Sequence, residues 1–287
     1  MISNLVGLPA TKIPLAENPK KQLLPIRSHR RTRHPRTGRM EVVERHNESA
    51  AGTVRKREDS ALAVRIASLR TVPLFRGLSQ SELCEIAKAA QDVQFSRRET
   101  IFRQDDPVRF VYVIAKGTVK VTQLSEGGKE VILRVDRRGS LIDDLTDVSL
   151  VHLSSAQAIH ACDILAWDAF TFDDLARRFP VIHRNATSIM LGRLRMIEQR
   201  FCDVATQRVP QRLARLLIQL AGQTTAGVHD PITLSREELS QMTGTSLFTV
   251  SRLLSLWAEL DILTVDRKTV VIENRPQLSR IAEAAAA

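Results

Sequence analysis

The chain has 287 residues, of which 43% are hydrophobic and 26% charged, with a formal net charge of +10. That length accommodates two domains with ordinary cores, and no run approaches the ~18 uninterrupted apolar residues of a membrane span. Three scattered cysteines, Cys84, Cys162 and Cys202, form no C-x-x-C pair, which argues against a disulfide framework or a cysteine-only metal site and fits a reducing cytoplasm.

The charge is concentrated at the start. Residues 1–60 hold 13 Lys/Arg against 6 Asp/Glu, whereas residues 61–206 hold 20 against 18 and residues 207–287 hold 9 against 8. The leading 60 residues also carry five prolines and the basic run HRRTRHPRTGR without apolar periodicity, so they are expected to be disordered. Three readings of this segment stand open: a solvated leader, with Met40 an equally good start; a basic arm on DNA phosphates; and a mitochondrial-type presequence. No compact apolar h-region marks it for secretion.

From Pro73 the pattern changes. LSQSELCEIAKAA opens with the capping box Ser79-x-x-Glu82 and continues as a helix through Leu83, Ile86 and Ala87. The β-type runs IFRQ, FVYVIA, TVKVTQL and EVILRV follow, separated by DDP, KG, SEGGK and DRRG; such regular short strands predict a small barrel or roll. A long helix is predicted over 181–206. Met190, Leu194, Ile197, Phe201 and Val204 step 4-3-4-3 along it, the spacing of a helix seam. The seam packs either on its own roll or on the same helix of a second subunit. Cys84 and Cys202, set among helical apolar residues, read as small core fillers.

Gln207–Ala221 predicts another amphipathic helix, with Leu213, Leu216, Leu217 and Leu220 inward. Then come a strand-like ITL, the capping box Ser235-x-x-Glu238 before a short helix, the turn Thr243-Gly244-Thr245, a second helix, and a hairpin ILTV-DRK-TVVI. Helix, glycine turn, helix and hairpin is the pattern of a winged helix-turn-helix, whose second helix enters a DNA major groove. At 100° per residue, Val250, Leu253, Leu254, Trp257 and Leu260 share its inner face, while Phe248 points the opposite way. Leu247, Phe248, Ser251 and Arg252 are thereby placed to reach base edges. Arginine forks onto guanine and an apolar side chain meets a thymine methyl. Thr245, Ser246, Thr249 and the wing residue Lys268 are suited to phosphates.

Over residues 73–275 the chain resembles the Crp/Fnr family of bacterial transcription regulators. The stretches that carry the resemblance are LFRGLSQSEL, ETIFRQDDP, VYVIAKGTVKV, RRGSLIDDL, ITLSREELSQMTGTS, TVSRLL and RKTVVI. It implies an α+β chain: a cyclic-nucleotide-binding-like β-roll (a double-stranded β-helix) at 61–180, a dimerisation helix at 181–206 and a winged helix-turn-helix at 207–287. It further implies a homodimer on double-stranded DNA with RNA polymerase as a candidate partner, no membrane association and no catalysis; no acid/base pair, nucleophile, phosphate-loop or zinc motif is present.

The departures from the family pattern bear on the effector. Where cAMP-binding members place Gly-Glu and Arg-Ser around the cyclic phosphate, this chain has Asp143-Asp144 and Ser154-Ser155. The arginine that would fork onto a phosphodiester is missing, and Ile197-Glu198 stands where those members place Thr-Ser against adenine. No cyclic-nucleotide sensing is expected, and with no cysteine before Cys84 an N-terminal iron–sulfur cluster is not expected either. No cofactor is predicted; His152, His160 and Cys162 remain an option for haem or a metal. Many relatives have a glutamate where this chain has Phe248, so its half-site should differ. An effector-free architectural protein that uses the roll as a dimer scaffold is the competing function.

Overall fold

A computed structural model describes residues 60–142, 151–222 and 231–284. Helix α1 (described over 60–70) turns Leu62, Ile66 and Leu69 inward and leads through a short 3-10 turn, Pro73–Phe75, to α2 (Gln80–Ala89). The predicted capping box is formed: Glu82 N–H donates to Ser79 Oγ and Ser79 N–H donates to the Glu82 carboxylate at 2.6 Å. Hydrogen bonding to Ser79, through its side chain first and its backbone N–H second, holds the Glu82 carboxyl below its ordinary pKa.

Among the described residues seven strands build the roll: β1 (Gln91–Phe95), β2 (Thr100–Phe102), β3 (Phe110–Lys116), β4 (Thr118–Leu124), β5 (Glu130–Arg137), β6 (Ser155–Ala158) and β7 (Cys162–Asp168). All pairings are antiparallel, in a three-stranded sheet ordered β1-β7-β3 and a four-stranded sheet ordered β2-β6-β4-β5. Between them lies an apolar filling of Phe102, Ile114, Val119, Val121, Ile142, Ala156, Cys162 and Ile164. The outer face of β7 presents Trp167 to Phe75 and Phe172, and its indole N–H donates to Ile86 O at 2.9 Å, which seats α2 on the roll. Helix α3 (Ala169–Arg178) closes this second core through Phe172, Leu175 and Ala176.

Helix α4 (Val181–Thr206) has the expected bounds, and its 26 residues extend about 39 Å at 1.5 Å each. It carries two stripes. Ile182, Ala186, Ile189, Arg193, Met196, Arg200 and Asp203 face the rest of the chain: Ile182 and Ala186 are buried in the Trp167 core, Arg193 donates to Leu141 O, and Arg200 donates to Leu133 O in β5. The predicted seam lies one residue further on, hence rotated by about 100°. Met190, Leu194, Ile197, Phe201 and Val204 are all exposed, Phe201 at 75%. The alternative in which the seam rests on its own roll is therefore corrected, because the polar-edged stripe beside it occupies that place. Cys202 is likewise exposed and not a core filler; Cys162 is the buried cysteine.

Beyond α4, α5 (Val209–Gly222) buries Leu213, Leu216, Leu217 and Leu220 as expected. Helix α6 (Arg236–Thr243) starts at the second capping box, with Ser235 N–H on the Glu238 carboxylate at 2.7 Å. It ends at Gly244, whose φ of +66° is the left-handed cap that glycine adopts without Cβ strain. Helix α7 (Leu247–Glu259) follows, then the hairpin β8 (Leu263–Asp266) and β9 (Thr269–Ile272), and α8 (Arg275–Glu283), which packs on α5. The ITL strand reduces to a single bridge from Ile232 to Val270. Leu260, assigned inward by periodicity, is 53% exposed. The helix ends one residue earlier, Asp261 takes φ +55°, and Ile262 fills the core in its place.

The described residues fall within one compact unit, 51–287. Ile132, Val135 and Ile159 of the roll join the same apolar cluster as Leu216, Leu239 and Trp257 of the C-terminal part, so the two are packed against each other.

Gly117, between β3 and β4, tests how tightly the roll is closed. At φ +101° an added Cβ would lie 2.6 Å from both Ala161 O and Cys162 Sγ, whereas at Gly128, φ +74°, it would meet nothing within 4 Å. Gly128→Ala should therefore lose only the left-handed strain, about 1–2 kcal/mol, and Gly117→Ala clearly more. Urea midpoints at unchanged m-value measure the difference; equal losses would contradict this packing.

Candidate nucleic-acid interface

Ser246 begins α7 as its N-cap. Its Oγ accepts Thr249 N–H at 3.1 Å and lies 2.8 Å from Thr249 Oγ1, so the two hydroxyls are coupled across the first turn. Thr245, partly buried, donates its N–H to Ser240 O at 3.2 Å and fixes the turn between α6 and α7. The inner face of α7 is anchored by Val250, Leu253, Leu254 and Trp257, all buried.

On the other side Leu247 is 49% and Phe248 76% exposed, with Arg252 exposed and Ser251 partly so. Arg252 makes no ion pair among the described residues. The structure thus brings the four predicted base-contact residues together on the free face of one helix. Lys268 stands apart from them: exposed at the β8–β9 turn, it lines a cleft toward Arg97, Arg98 and Lys120 of the roll.

At the effector cassette, Ser154 is buried and Ser155 Oγ accepts the Gln104 N–H at 2.9 Å, a structural bond that holds the β2 side of the roll. Asp143 and Asp144 lie outside the described residues. The buried polar groups of the roll among those described are Thr122, Asp136, His152 and Ser154. None is a permanent cation, and His152 is stacked face to face on Phe102 with ring centroids 3.8 Å apart. This donor set does not fit the anionic phosphodiester of a cyclic nucleotide.

The optional haem or metal ligands do not converge. Cys162 Sγ points at the carbonyls of Thr118 (3.4 Å) and His160 (3.1 Å), and burial pushes its thiol pKa up. His160 is drawn below its ordinary value first by burial and then by Arg97, against an opposing pull from Glu238 of α6. Among the described residues no group of three or more His, Cys, Asp or Glu side chains is placed to hold a metal ion.

Comparison with known proteins places this architecture. Residues 92–179 match the cyclic nucleotide-binding domain model and residues 211–281 the Crp-like helix-turn-helix domain model, together more than half of the chain. The chain belongs to the Crp/Fnr family. Relatives in that family include the CRP-like cAMP-activated global transcriptional regulator of Mycobacterium tuberculosis, 27% identical over 215 residues, covering 72% of this chain and 95% of that protein. The fumarate and nitrate reduction regulatory protein of Escherichia coli is 26% identical over 188 residues, covering 64% and 75%. Among solved structures, FixK2 from Bradyrhizobium japonicum superposes with a TM-score of 0.62 at 23% identity, covering 69% of this chain and 99% of that one, a likeness of fold. No described helix is long and apolar enough to cross a membrane.

The exposure of α7 separates two substitutions. Trp257→Ala should lose about 3–5 kcal/mol as a buried aromatic deletion, and Phe248→Ala should stay within about 0.5 kcal/mol of the parent. A Phe248→Ala variant that unfolds like Trp257→Ala in thermal melts would show that the phenylalanine is packing.

Proposed function

We propose that this Crp/Fnr regulator acts as a homodimer on a near-palindromic operator, read by Leu247, Phe248, Ser251 and Arg252, and that cAMP and cGMP do not gate it. The observation that carries the reading is the outward face of α7. A three-quarters exposed phenylalanine one turn before an exposed arginine loses little if it faces the partly apolar edge of a base-pair step, where thymine methyls stand in the major groove. Thr245, Ser246 and Thr249 sit where phosphate oxygens would flank that helix start, and Lys268 on the wing extends the phosphate contact. In this arrangement residues 61–180 form the sensor-like roll, 181–206 the dimer helix and 207–287 the DNA-binding part.

The exposed seam of α4 supports the dimer. Five apolar side chains in coiled-coil spacing on the free side of a helix are covered when the same helix of a second copy packs against them. The missing cation at Ser154 supports independence from cyclic nucleotides. Residues 1–59 and the phosphate-contact role of the basic run lie outside the described residues and add nothing to this reading.

Base preference is the direct test. Arg252→Ala should weaken operator binding by about 1–3 kcal/mol and relax one guanine position. Phe248→Ala should cost less while reducing the preference for T over C nearby, and Phe248→Glu should move that position toward C. Uniform weakening on all sequences in competition assays would reject the base-contact assignment.

Two further outcomes follow from the same reading. Glutamate at both Leu194 and Phe201 should yield monomers by sedimentation, with weak operator binding; a monomer that still protects both half-sites would defeat the dimer. Micromolar cAMP or cGMP should leave melting temperature and DNA affinity unchanged, and saturable calorimetric binding of either would overturn that part.

A further inference from the structure

Between α4 and α5 the chain is non-helical only at Gln207 and Arg208, with Gln207 extended at φ −108° and ψ +146°. Few backbone torsions therefore decide the angle at which the DNA-binding part leaves α4. Most hydrogen bonds at this joint are local. Gln207 N–H donates to Asp203 O at 2.9 Å, Arg208 N–H to Gln211 Oε1 at 2.6 Å, and Arg212 Nη1 to Gln207 O at 2.9 Å. They satisfy the ends of the two helices.

The contact that spans the joint is Asp203 with Arg215. Arg215 Nη1 donates to Asp203 Oδ1 at 2.8 Å, from the second turn of α5 to the last turn of α4. The same guanidinium donates through Nε to Ala282 O of α8 at 3.1 Å, and Asp203 Oδ1 also accepts Gln199 Nε2 at 3.0 Å. A planar guanidinium holds its donors in fixed directions, so one side chain orients α4, α5 and α8 together. Among the described residues no other ion pair joins α4 to the DNA-binding part. A carboxylate in the last turn of a helix meets the negative end of the helix dipole, so Asp203 stands there against its local preference. Its side chain is only 14% exposed, where solvent screens the pair less than at the surface. The apolar cluster that also joins roll and DNA-binding part is non-directional. A further bridge, Gln219 Nε2 to Met196 Sδ at 3.1 Å, ends on a weak acceptor.

We propose that Asp203 and Arg215 are positioning residues: their pair sets the angle of the DNA-binding part on α4, and with it the separation of half-sites that a dimer accepts. The inference rests on the dimer reading given under the proposed function. Two DNA-binding parts held at a fixed angle on one pair of helices match one spacing. Each added base pair displaces the second half-site by about 3.4 Å and turns it by about 35°. A rigid joint rejects that displacement, and a loosened joint tolerates it.

The experiment titrates the full chain with palindromes built on its own selected half-site, the spacer shortened or lengthened base pair by base pair, and with a single half-site. The parent should prefer one spacing at least about tenfold over its neighbours. Arg215→Lys keeps the charge but, as a point charge, cannot reach both Asp203 and Ala282 O. It and Asp203→Ala should each bring the spacing preference below about threefold, with dimerisation by sedimentation and single-half-site affinity unchanged. The double variant should be no worse than either alone, since both changes remove the same interaction. Variants that keep the parent's preference, or losses that add in the double variant, would overturn the assignment. Equal weakening on every spacing and on the single half-site would also overturn it, as the mark of a merely destabilised fold. A parent without any spacing preference would instead overturn the dimer reading, and this role with it.

Discussion

Helix α4 is held to its own roll by a mixed stripe in which arginines do what leucines do in a simple coiled coil. Ile182 and Ala186 are buried at its start, while further along Arg193 and Arg200 reach backbone carbonyls of the roll and Asp203 pairs with Arg215 of α5 at 2.8 Å. Charged groups bonded to carbonyls and to one another satisfy the roll-facing side without consuming the apolar residues. Those are left one position around the helix, exposed and regularly spaced. The proposed dimer interface, the orientation of the roll and the placement of α5 after it all depend on this division of faces.

The same helix connects the parts that must communicate in a regulator. Its first turns touch the aromatic core around Trp167, its middle touches β5, and its end is tied to α5. The roll also shares an apolar cluster with α5, α6 and α7 through Ile132, Val135 and Ile159. A shift of β5 is therefore felt by both α4 and the first helix of the helix-turn-helix motif. Coupling of this kind needs no contact with the interior of the roll, where the cation required by a cyclic phosphate is absent from the described residues.

Elements with strong local signals were legible in the sequence. The two capping boxes, the bounds of α4, the hairpin tip at Gly128 and the outward Phe248 all follow from side-chain period or cap chemistry. Helix α1 was readable in the spacing of Leu62, Ile66 and Leu69 but falls beside a basic, proline-rich segment that masks it. Strands β1 and β6, QDVQF and SAQA, have too few branched residues to stand out. Strand β7, CDILAWD, is a short apolar run that periodicity cannot distinguish from a helix, and α3 begins directly after it. Helix α8 is announced only by its cap, Asn274, and by Pro276.

The central claim is that two identical helices, placed by a dimer seam, read DNA through the outward face of α7 without a cyclic nucleotide. Selection of bound sites from a pool of random DNA, performed with the purified full chain and no added effector, tests it most directly. Enrichment of a twofold-related pair of half-sites centred about one helical turn, ~10 bp, apart is expected. Enrichment of a single half-site without symmetry, no enrichment over the starting pool, or enrichment that appears only on addition of cAMP would contradict it.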